Sequence, residues 1–380
     1  MKIRTLKLRD EAYGDQWYTQ IEDHWEYDQF LADPRWRAGW ISMDSVLYNS
    51  ADDRVYLGIT SFDADIFRAY DRRTGQFLDL GYKRIAHPQD AKFHRSLVRR
   101  QADGCLYGAI ALLHDVDRYW DAPGGAIVKY DPATGSLEKL GIPVSHAYIQ
   151  SICLSQRQDA LFGQTFTPER LFRFDLTTRE ACDLGPISSG MAMAQGENVE
   201  LDDAGCVWCG WHVTRAWQGS SGVDSHRLCK YDPATDHIHY LDGGLPRPDG
   251  AYGYVKVEGL FNLGRGCLYA SGGNGSIYRV DTDTGQGTYL GTPIPDRPSR
   301  LTTLRLAGDG MAYGVTGRAG RCELIRFDPR TEKYELIGPV VEGETALWQA
   351  HDVTVTPEGV LYVGENDNPY RSSYLWEITL

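Results

Sequence analysis

One phrase returns six times along this chain and limits what it can fold into. It is an aromatic or apolar residue followed by an aspartate, a short polar stretch, and a glycine that closes the next segment. The copies run Tyr70-Asp71 to Gly81, Tyr130-Asp131 to Gly141, Phe174-Asp175 to Gly185, Tyr231-Asp232 to Gly243, Val280-Asp281 to Gly291 and Phe327-Asp328 to Gly338. The aspartates are 44 residues apart at the closest (Asp131 to Asp175) and 60 at the widest (Asp71 to Asp131). Before each copy stand two apolar-alternating runs, split by turns such as Asp103-Gly104, Ala204-Gly205 and Asp309-Gly310. Four short strands in each unit of about 50 residues is the pattern of a propeller blade. A last unit ends at Leu375–Leu380 with only three strands, and Lys2–Leu8 offers the fourth. Pairing the two termini removes an open sheet edge. The expected fold is therefore all-β: a seven-bladed β-propeller, one domain over residues 1–380, with the N-terminal strand closing the last blade. Residues 9–35 fit no blade and read as a connector or a flap.

Composition narrows the function. The 380 residues are 42% hydrophobic and carry a formal charge of −13, which argues against nucleic acid or an anionic membrane as partner. An acidic ligand in a locally basic pocket remains compatible with that charge. There is no apolar run near the length of a membrane span and no apolar leader segment, so a cytoplasmic location is expected. Of eight cysteines, Cys105, Cys206 and Cys267 share one slot after a glycine turn, the signature of a packed position. Cys206 and Cys209 form a CxxC without the second ligand pair a zinc site requires. Nothing in the sequence marks an oligomeric state.

In a blade the first strand starts, and the second ends, on the same face, where loops on a rigid frame gather binding groups. First-strand starts offer His94, Tyr148, Asn198, Tyr252, Tyr254, Arg300 and His351. Second-strand ends offer Asp63, His114, Gln164, His212 with Arg215, Asn274, Arg318 and Glu365-Asn366-Asp367. Within residues 92–131 the strands are expected at His94–Val98, Leu106–Leu113 and Ala126–Tyr130, placing His94 and His114 at one sheet edge. The polar set is rich in His, Tyr, Arg and Asn and poor in acids. A glycosidase wants an opposed carboxylate pair, and nucleophilic hydrolysis wants a placed Ser or Cys. β-Elimination beside a uronic acid suits the set better. It needs a cation or donors on the carboxylate, a base for the α-proton and an acid for the leaving oxygen. Arginine fits a carboxylate as a fork, and histidine or tyrosine can exchange the protons.

The closing strand, the His94/His114 pair 20 residues apart, Tyr148 and the ending from His351 to Ile378 together resemble the seven-bladed propeller polysaccharide lyases, namely the ulvan and rhamnose–glucuronate lyases. The resemblance implies a carbon–oxygen lyase acting on acidic oligosaccharides. His94, His114 and Tyr148 would be its acid and base. Where that family's pattern has an arginine ending blade three's second strand, this chain has Gln164-Thr165, so Arg215 or Arg318 would neutralise the uronate. Gln164, His212, Tyr254, Arg300, His351 and Asn366 would contact substrate. No cofactor is required by this reading. The alternatives are an oligogalacturonide lyase using a divalent cation (Ca, Mn or Zn) on His212, Gln349 and His351, a propeller that binds a sugar or protein without catalysis, and a rhamnosidase working from another surface.

Overall fold

The computed structural model describes residues 1–13, 32, 34–63, 65–112, 119–166, 168–188, 198–212, 227–248 and 256–380. Among the described residues, five four-stranded antiparallel sheets and one nine-stranded sheet, in which two blades are joined, make up seven blades, and Val341–Glu342 and Thr345–Ala346 form a separate two-stranded sheet. The repeated phrase is the turn between the third and fourth strands of a blade. Its aspartate accepts backbone N–H groups two and three residues on: Asp71 from Arg73 (3.0 Å) and Thr74 (3.1 Å), Asp175 from Thr177 (3.0 Å) and Thr178 (2.9 Å), Asp281 from Asp283 (3.0 Å) and Thr284 (2.8 Å). The chain then passes through a left-handed residue, at φ 71° for Gly75 and φ 70° for Gly285, which lets the N–H of each reach back to the aspartate carbonyl at 2.8 Å.

The chain divides into two compact units. The first holds Met1–Ile149, Ala319–Arg321 and Val340–Leu380, and thus blades one, two and seven. Blade seven is Ala350–Val355, Val360–Glu365 and Leu375–Thr379, completed by Lys2–Leu6, which pairs antiparallel from Lys2↔Thr379 to Leu6↔Leu375. The N-terminal strand therefore closes the last blade, as the repeat implies. Just beyond it, Arg9 pairs with Asp65 at 3.0 Å and the Tyr13 N–H donates to the Tyr370 carbonyl at 2.8 Å. Most of the 9–35 connector lies outside the described residues; Pro34–Gly39 is a short helix.

Blades one and two depart from expectation. The run His94–Val98 is not one strand. Asp90–Phe93 is a strand that pairs with both neighbours, Lys92 opposite Thr60 of blade one and Phe93 opposite Ile110 of blade two. The chain then breaks, with Arg95 at φ 33°, and resumes as Val98–Arg99 against Leu106 and Tyr107. Phe93, the last residue of the strand, anchors it in the core. It is fully buried, with ring centroids 5.1 Å from Phe67 and 5.5 Å from Tyr82. Gly58 and Gly108 make room for it: a Cβ on either would come within 2.4 Å of Phe93. Asp90 pins the start of the same strand by accepting from the Tyr82 hydroxyl (2.7 Å), Lys139 (2.6 Å) and the His87 N–H (2.8 Å). Blade two's third strand is Ile127–Asp131, one residue later than expected.

The second unit is Gln150–Arg318 with Cys322–Pro339 and carries blades three to six. Apolar residues fill the space between its sheets, with Trp208, Leu260, Leu268 and Tyr278 in one cluster and Phe261, Tyr269, Ile325 and Phe327 in another.

Within each unit, one device links the first strands of neighbouring blades. A short polar side chain accepts the backbone N–H of the next first strand: Ser45 from Ser96 (2.9 Å) and Asp352 from Val46 (3.0 Å) in the first unit, Ser151 from Val199 (2.9 Å) and Asn198 from Leu260 (2.8 Å) in the second. These bonds put the blades in a common register. The donor sits one residue after the latch position of its own blade, as Val46 follows Ser45, so the positions are Ser45, Arg95 and Asp352 in the first unit and Ser151, Asn198 and Gly259 in the second. The described residues one before them are Asp44, His94 and His351, and Gln150 and Glu258. Stepping back three gives Ser42, Lys92, Tyr148, Gln349 and Lys256.

Candidate functional site

In the first unit the equivalent positions converge. The rings of His94 and His351 meet edge to face, with centroids 4.5 Å apart. Only 4% of His94 and 2% of His351 is exposed. His351 Nδ1 lies 2.7 Å from the carbonyl oxygen of Asp44. A carbonyl can only accept, so Nδ1 carries a proton, and when the ring is neutral its basic lone pair is on Nε2. The same Asp44 has a fully buried carboxylate. It accepts from the Ser42 hydroxyl at 2.9 Å, the Asn366 amide at 3.1 Å and the Thr60 hydroxyl.

Asn366 ties the cluster to blade seven. Its amide also donates to Ser42 at 3.1 Å, while its carbonyl oxygen accepts from Gln349 at 2.8 Å. The neighbouring Glu365 is a structural anchor. Fully buried, it accepts from both Arg371 guanidinium nitrogens (2.7 and 2.9 Å), from Asn368 (3.0 Å) and from the backbone N–H groups of Trp348 (2.9 Å) and Tyr374 (2.8 Å). Such saturation accounts for a buried charge without a bound cation. Tyr148 opens its strand and is 5% exposed.

In the second unit Glu258, at the position equivalent to His94 and His351, is 1% exposed and lies between Lys256 (2.9 Å) and Arg300. Arg300 is thus engaged by a carboxylate of its own unit. Gln164 (2% exposed) and His212 are buried, and burial, aided by the Arg227 cation, holds the His212 imidazole below its ordinary pKa. Arg318 is exposed. Asn198 and Asn274 serve the backbone, the first as a latch and the second within its own turn through the Ser276 N–H. His114, Arg215, Tyr252 and Tyr254 lie outside the described residues.

The expectation of a face poor in acids does not hold. Asp44 and Glu258 stand at the blade position that carries His94 and His351, and both are buried. Neither begins its run, so the pattern of strand starts does not single them out. The available signal was the alternation Ser42-x-Asp44 and Lys256-x-Glu258, polar residues two apart in otherwise apolar strands. Lys92, two residues before His94, shows the same spacing.

A metal centre finds little support in these residues. Among the described residues no group of three or more His, Cys, Asp or Glu side chains is gathered to hold an ion. The Gln349 amide nitrogen is directed to Asn366, and His351 Nδ1 to the Asp44 carbonyl. Gln349 and His351 alone do not make a site.

No family model and no curated protein matches the sequence. Solved structures do. The chain is similar to the RRP9 WD40 repeats at 8% identity and a TM-score of 0.59, covering all of this chain and 97% of that one. It is similar to the extracellular domains of BT4673 (12% identity, TM-score 0.54) and BT3049 (10%, 0.55) from B. thetaiotaomicron. The alignments cover 89% and 90% of this chain but 38% and 40% of those domains, so the chain spans well under half their length. At such identities the likeness speaks to fold alone, and the fold is an all-β propeller.

Proposed function

We propose that the first unit carries a β-eliminating site for oligosaccharides containing a uronic acid, the reaction of a polysaccharide-lyase-type enzyme. The observation behind this reading is the His94–His351 pair, brought together from equivalent positions on two blades, with the His351 tautomer set by the Asp44 carbonyl. His351 Nε2 then takes the α-proton or returns one, and His94, or Tyr148 at the start of blade three's first strand, makes the other transfer. Lys92 supplies a cation for the uronate carboxylate within the same unit, where the sequence had suggested Arg215 or Arg318. An acidic oligosaccharide is accordingly the expected partner, and no cofactor takes part in the steps.

The test is incubation with fragments of ulvan, gum arabic and oligogalacturonate, following the ultraviolet absorbance of a 4,5-unsaturated uronate. Wild type raises the absorbance; His351→Ala, which keeps the strand, lowers kcat by about 10²–10⁴-fold. Binding of a fragment with no unsaturated product would instead make this a sugar-binding propeller.

A further inference from the structure

Two cysteines outside that reaction face each other in blade four. Cys209 in Val207–Trp211 is directly opposite Cys229 in Arg227–Asp232. Both are fully buried, and their sulfurs are 3.2 Å apart. A disulfide spans about 2.05 Å and bridges Cβ atoms about 3.5–4.5 Å apart, close to the separation of directly opposed residues in an antiparallel pair. The partner Cys206 suggests itself from the CxxC spacing, yet the sheet register brings Cys229, not Cys206, to Cys209.

We propose that Cys209 and Cys229 are a disulfide site, closed when the chain folds in the presence of a small organic disulfide. One thiol loses its proton and attacks the small disulfide, breaking its S–S bond and releasing one small thiol. The second cysteine then loses its proton and attacks the protein sulfur of the mixed disulfide, releasing the second small thiol. The protein gives up two electrons and two protons, and the small disulfide is reduced to two thiols. The hydrogen bond to Cys229, together with burial, pushes the Cys209 thiol well up, so in the packed blade it is a poor nucleophile. The bond is therefore made before blade four packs and is sheltered afterwards. A chain folded among reducing thiols keeps the pair open.

The full chain is unfolded and refolded in oxidised and reduced glutathione, or in reductant alone, with recovery of β-structure followed by circular dichroism. Denatured samples are then alkylated, digested and weighed. The eight thiols are all alkylated in the reductant arm. In the glutathione arm the expected result is a linked peptide joining Cys209 to Cys229, every other cysteine alkylated, and a thermal midpoint a few degrees higher. Cys209→Ser and Cys229→Ala each abolish the linked peptide and the rise in midpoint. Eight alkylated thiols in refolded glutathione-arm protein, or a bridge through another cysteine such as Cys153, would overturn the proposal.

Discussion

Glu365 shows how much of the polar interior is built for position. A fully buried carboxylate is costly, and here Arg371 repays it with a two-pronged ion pair while stacking 3.8 Å over the Tyr374 ring. Its other acceptor sites hold Trp348 and Tyr374 by their backbones, and through them the chain leading to Gln349 and His351. Removing the cation while keeping the bulk leaves the carboxylate uncompensated. Arg371→Met is expected to cost about 3–5 kcal/mol in urea unfolding, whereas breaking a solvent-exposed ion pair such as Arg326–Glu335 leaves the unfolding midpoint nearly unchanged. Asp44 is held differently, by three neutral donors, and its backbone carbonyl is the atom that orients His351.

At the scale of elements, the turns and the first strands were legible to very different degrees. The turn phrase is local: an aspartate, two or three following N–H groups and a residue tolerant of positive φ suffice, so it can be counted in the sequence. Its cost is acid sensitivity. Hydrogen bonds from backbone N–H groups hold Asp175, Asp281 and Asp328 below the ordinary carboxylate pKa of 3.8, and the Thr134 hydroxyl does the same for Asp131. A carboxylate with a lowered folded pKa stabilises fully above its unfolded value and loses that contribution as pH falls through the folded one. Thermal midpoints should therefore be nearly flat from neutrality to about pH 5 and fall steeply below about pH 4, with Asp281→Asn showing a shallower fall than wild type. The strand Asp90–Phe93 was not legible, because Asp-Ala-Lys-Phe lacks β-branched residues and its strand character comes from two neighbouring blades. Asp44 and Glu258 were hidden for a related reason. Their equivalence to His94 and His351 follows from hydrogen bonds between blades, which no spacing within one blade reveals.

For the molecule as a whole, the repeat count and the split last blade could be read from the chain because each blade is specified locally and the termini differ only by a missing strand. The pairing of Lys2–Leu6 with Leu375–Thr379 is joined by Glu342, whose carboxylate accepts both the N–H (2.8 Å) and the hydroxyl (2.5 Å) of Thr5. Deleting residues 1–6 leaves Leu375–Thr379 as an open edge, so the truncated chain is expected to melt well below wild type and to aggregate on concentration, seen by calorimetry and light scattering. The chemistry is less evenly distributed than the fold. The proposed elimination depends on the meeting of His94 and His351, which the blade register brings about. Mass spectrometry of oligosaccharide products tests that claim most directly, since elimination leaves a fragment lighter by one water than hydrolysis would. Wild type is expected to give the unsaturated fragment, and His94→Ala and His351→Ala, both still folded, are expected to lose it. Saturated fragments, or unsaturated ones undiminished in the two variants, would contradict that claim.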